Sequence, residues 1–144
     1  MAEKNTQNMA LERLNVVLTT EEKANILATV GALEDALSFR LSLTNAERQR
    51  LMKLGNKSVG FVQQALEAAR SHQQFIPAYI SVQAMENDLE VRELLLACAQ
   101  RLGVLYAQVQ DTATAAGVDL MHGATSIYRV LKAAGEDGGL DPVL

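Results

Sequence analysis

The residues in this chain that could do chemistry are few, and Asp119 with His122 comes first. Three positions apart, they would project from one face of a helix, as in the carboxylate-x-x-histidine element of di-iron bundles. Such a centre needs a second copy of the element and glutamates from two further helices. The only other histidine, His72, has Ala69 at the matching position, so the set is incomplete. Met121 and Met85, with the two histidines, are the candidates for haem ligation. No Cys-x-x-Cys-His motif accompanies them, and at 4% aromatic residues the chain is poor in the rings that line cofactor pockets. No metal and no cofactor are expected, and Asp119, Met121 and His122 stay as candidates for a ligand contact. His72 near a helix C-terminus suits a partner of the helix dipole. Cys98 sits in Leu94-Leu95-Leu96-Ala97-Cys98-Ala99, a setting for a packed, inert thiol.

Arg48, Arg50, Lys53 and Lys57 form the densest basic feature. Parts of that run share one helix face, where Glu47 and neighbouring glutamates balance it as a solvated surface. Leu54-Gly55-Asn56-Lys57-Ser58 is no phosphate loop, because the first glycine, the spacing and a preceding strand are missing. No nucleophile–base pair or paired-carboxylate set stands out, so the reading leans away from an enzyme.

The elements that would position these residues are helices. Thr19-Thr20-Glu21-Glu22 opens the first, since a threonine cap accepts a backbone N–H three positions on while the glutamate there reaches back. Ile26, Val30, Leu33 and Leu37 then share a face, and the helix is expected to end near Phe39 to Leu41. Leu43-Thr44-Asn45-Ala46-Glu47 repeats the opening, and so short a connection makes the two helices antiparallel neighbours. This second helix meets Gly55, where a kink or tight break is expected, and stops near His72 ahead of Pro77. Ser81 caps a third helix bearing Val82, Met85, Leu89 and Leu96. That helix either turns near Ala97 to Gly103 or runs on to Ala116. From Leu102 the apolar stripe Leu105, Val109, Ala113, Ala116, Leu120, Ile127, Val130 or Leu131 and Ala134 crosses Gly117 without losing step. Gly135-Glu136-Asp137-Gly138-Gly139 is expected to end it.

Composition supports this reading. The 144 residues suffice for one domain with its own core, without disulfides or a structural metal. Half of the chain is hydrophobic, mostly leucine, alanine and valine, with no tryptophan, which favours helix packing over a β-sandwich. The net charge of −4 is spread among mixed signs, so no nucleic-acid or anionic-membrane surface is expected. A single cysteine excludes an internal disulfide. No stretch approaches the roughly 20 apolar residues that span a bilayer. The polar N-terminus does not resemble a signal peptide, and a cytoplasmic location is the expectation.

From Leu43 onward the chain resembles a family of small, uncharacterised bacterial helical-bundle proteins. The likeness rests on Leu43-Thr44-x-x-Glu47-Arg48-x-Arg50-Leu51-x-Lys53-Leu54-Gly55-x-Lys57-Ser58 and Asp111-Thr112-x-x-Ala115-Ala116-Gly117. Tyr128 and Lys132-Ala133-Ala134 extend it. The resemblance implies a four-helix bundle and carries no established activity. Family members can carry prolines near Ala97 and Arg101, which implies a turn there; this chain has none.

The expectation is an all-α protein: an antiparallel four-helix bundle over residues 19–135, a partly disordered arm over 1–18 and a tail over 136–144. Its expected role is association, as a homo-oligomer with a dimer favoured, or with a protein partner. Leu11, Leu14 and Val17 of the arm, and the small residues Ala113, Ala116 and Gly117, are the candidate interface. The alternative is a bundle that holds a small apolar ligand or cofactor between its helices, lined by Met85, Leu89, Leu105, Val109 and Met121.

Overall fold

The computed structural model describes residues 14–138, and every regular element among them is helical. The protein is all-α. Four α-helices follow in order: α1 Thr20–Ala36, α2 Asn45–Arg50, α3 Val59–Ser71 and α4 Val82–Gly138. Two short 3-10 turns, Asn56–Ser58 and Gln73–Phe75, flank α3. Contacts divide the chain into two units, Thr20–Ala99 and a second comprising Met1–Thr19 and Gln100–Leu144.

In the Thr20–Ala99 unit, local chemistry sets most of the helix ends. Thr44 caps α2 with a full capping box: its Oγ1 accepts the Glu47 N–H at 3.2 Å, and its own N–H donates to Glu47 Oε2 at 2.9 Å. Ser81 starts α4, its Oγ accepting the Ala84 N–H at 3.1 Å. Pro77 falls between α3 and α4, where its missing N–H does no harm. α1 is shorter than expected and ends at Ala36, not near Phe39 to Leu41. Arg40 explains the early stop, because its Nη1 donates to the carbonyl oxygens of Glu34 and Leu37 at 2.6 and 3.2 Å. The Leu37 carbonyl also accepts the Arg40 backbone N–H at 2.9 Å, so the guanidinium matters most to the Glu34 carbonyl at the frayed helix end.

At Gly55 the chain breaks rather than kinks. α2 ends at Arg50, Leu51 is extended, and Gly55 leads into the 3-10 turn before α3. The basic run is divided by this break: Arg48 and Arg50 lie on α2, and Lys57 lies in the turn. The shared helix face expected for it is therefore absent.

α3 and the first part of α4 form an antiparallel pair. Arg70 at the end of α3 pairs with Glu86 at the start of α4, while Leu54, ahead of α3, meets Arg92 further along α4. Leu66 of α3 is 2% exposed, with Val62 and Ala69 half-buried a turn away on either side. Val82, Leu89, Leu95 and Cys98 are the half-buried apolar residues of α4 in this unit. α1 holds no buried residue, and its Ile26 and Val30 are exposed.

The open question of the third helix is settled in favour of continuity. α4 passes Gly103, Gly117 and Gly123 without interruption over 57 residues. It also outruns the expected end at Gly135, reaching Gly138. Each glycine costs about 1 kcal/mol relative to alanine, a small sum beside the many leucines, alanines and glutamines of so long a helix. The separate fourth helix expected from the sequence is the C-terminal part of α4.

Candidate functional site

From Gln100 on, α4 offers two opposite faces. At about 100° per residue, Leu102, Leu105, Val109, Ala113, Ala116, Leu120, Gly123, Ile127, Leu131 and Ala134 fall within one band less than half the helix circumference wide. Periodicity of this kind marks a face built for burial. Yet the large residues of the band are exposed, Leu120 at 73% and Val109 at 58%. A side-chain carbon built on Gly117 or Gly123 would meet nothing within 4 Å. Ala116 and Gly117 are half-buried and Ala113 is exposed, so the small-residue candidates lie along the open band or at its edge.

The other face carries a shallow groove of about 680 Å³, lined by Thr114, Gly117, Val118, Met121, His122, Thr125, Ser126 and Arg129. Met121 and His122 are thus brought together there, while Asp119 is half-buried outside the lining. Two of the three hydroxyls in the lining bond the helix itself: Thr125 Oγ1 donates to the Met121 carbonyl oxygen at 2.8 Å, and Ser126 Oγ to that of His122 at 2.9 Å. The described lining comes from one helix face only. A ligand site encloses most of its ligand from several sides, which this groove does not do.

Met85, Leu89, Leu105, Val109 and Met121, the lining expected for an apolar ligand, all stand on α4. Among the described residues, no three His, Cys, Asp or Glu side chains gather as a metal would require. His72 closes α3 as expected: it is the C-cap residue, with Nδ1 3.1 Å from the Ala68 carbonyl oxygen and its ring stacked on Phe75.

Of the arm candidates, Leu11 lies outside the described residues. Leu14 is half-buried, and Val17 is 87% exposed beside an exposed Val16. A signal that sequence reasoning missed is aromatic. Phe39, Phe61, Phe75, Tyr79, Tyr106 and Tyr128 are every aromatic residue of the chain, and all are exposed. Aromatic side chains carry the largest apolar area per residue and anchor protein interfaces. Their scarcity in the composition hid their placement. No helix among the described residues is long and apolar enough to cross a membrane. Comparison with known protein families, with curated proteins and with solved structures finds no match for this chain.

Proposed function

We propose that this chain is a non-catalytic association module that pairs with a second copy of itself. The observation that carries the reading is the disproportion between apolar surface and core. Among the described residues Leu66 is the one buried apolar side chain, while more than thirty large apolar side chains are exposed. Scattered surface leucines are ordinary, but a continuous apolar band along a helix marks an interaction surface. The α4 band is such a face, and Ile26, Val30 and Leu33 share one side of α1. An antiparallel four-helix bundle is the arrangement we assign to the assembly. A dimer is the commonest closed symmetric assembly.

Thermal unfolding at several protein concentrations tests this. If folding and association are linked, the Tm rises with concentration by mass action. A Tm unchanged over a roughly hundredfold range contradicts the reading.

A further inference from the structure

Resting on that reading, we infer that the α4 band pairs with the same band of a second copy, antiparallel, about a two-fold axis level with Val118. The size profile of the band points to it. Reversing the helix about that level lays Leu105 against Leu131 of the second copy and Val109 against its Ile127. Nearer the axis, Ala113 meets Gly123, and Leu120 lies over Ala116. Bulk meets bulk near the ends, and the central leucine lies over a small residue. Parallel pairing in register instead sets Leu120 on its own copy, between layers of Ala116 on Ala116 and Gly123 on Gly123. That arrangement wedges the helices apart beside two voids, and both overpacking and voids destabilise a core. Antiparallel alignment also sets the two helix dipoles in the favourable sense.

The occupant follows from area. From Leu102 to Ala134 the band is about 48 Å long on a helix roughly 11 Å across, so pairing two such faces buries on the order of 1,000 Å². That meets the size a specific interface needs. Among the described residues nothing covers the band: Ile127 as well as Leu120 is exposed, and the space around Gly123 is open.

Oxidative cross-linking of the full chain tests the geometry, with Cys98→Ser removing the one native thiol. Leu105→Cys and Leu131→Cys are prepared separately and then mixed. The expected result is a disulfide-linked pair in the mixture and little in either variant alone. Cross-linking within each variant alone means parallel pairing and overturns the inference. Absence of any cross-link in a sample of dimeric mass also overturns it, because pairing then uses another surface and only the association reading survives. A monomeric mass for the chain without substitutions overturns both. Charge substitutions give an independent check. Val109→Glu and Ile127→Lys each abolish association alone, and an equimolar mixture restores it at least tenfold over either. Failure of the mixture to associate while both variants stay helical contradicts the register.

Discussion

Arg92 on α4 donates from its Nη2 to the carbonyl oxygen of Leu54 at 2.9 Å, across 38 positions of sequence. That bond meets the chain just ahead of Gly55 and lies among half-buried side chains. It gives a polar carbonyl of the interrupted segment the partner that a continuous helix would have supplied. Arg92→Leu keeps much of the apolar stem and removes the donor. It is expected to lower stability by about 1–3 kcal/mol, read from urea unfolding at fixed protein concentration. An unchanged unfolding midpoint would mean that the bond does not hold the break in place.

Leu66 and Leu120 are the same residue type in opposite situations, one 2% and the other 73% exposed. Leu66→Ala opens a cavity beneath α3 and is expected to cost about 2–5 kcal/mol at any protein concentration. Leu120→Ala is expected to cost under about 0.5 kcal/mol in dilute protein, where the band is uncovered. Its effect emerges as concentration rises and pairing buries the band. Denaturant titrations of both variants at low and high concentration separate the two behaviours.

Gly103 and Gly123 both stand inside α4, and a side-chain carbon at either meets nothing within 4 Å in the chain. Alanine at either position therefore favours the helix by about 1 kcal/mol. The two differ in face: Gly103 lies off the apolar band and Gly123 on it. Gly103→Ala is expected to raise helicity and leave association unchanged. Gly123→Ala is expected to raise helicity while weakening association severalfold, because Ala113 of the second copy lies against it. Circular dichroism paired with sedimentation velocity reads both quantities.

Asp119 flanks the band one position from the proposed axis, so antiparallel pairing brings it toward its own copy. Two like charges about 8 Å apart in water repel by roughly 0.5 kcal/mol. Asp119→Asn is expected to tighten association about twofold, by the same measure. Added salt does the same for the chain without substitution and less for the variant. Weaker association of the variant in low salt would place Asp119 beside a cation instead.

How much of this was legible in the sequence depends on the range of the force involved. The caps at Thr44 and Ser81 were readable because a cap is complete within three or four residues. Pro77 and the step of the α4 band past Gly117 were readable for the same reason. The early end of α1 was missed, although Arg40 is the type of residue that bonds the last carbonyls of a helix. The break at Gly55 was readable as one of two outcomes, a kink or a tight break; the bond from Arg92, 38 residues away, was not. The band itself was visible as a pattern; its exposure was not, because periodicity tells which residues share a face and not what covers it. His122 and Met121 share a groove whose lining does not include Asp119, and three residues of spacing could not decide that.

Association itself is tested most directly by sedimentation equilibrium of the full chain over micromolar to near-millimolar concentration. The expected result is a mass moving from monomer toward dimer as concentration rises, with Leu120→Arg held at monomer while its helicity is retained. A monomer mass at every concentration, in a chain that remains folded and helical, contradicts the proposed function and the pairing built on it.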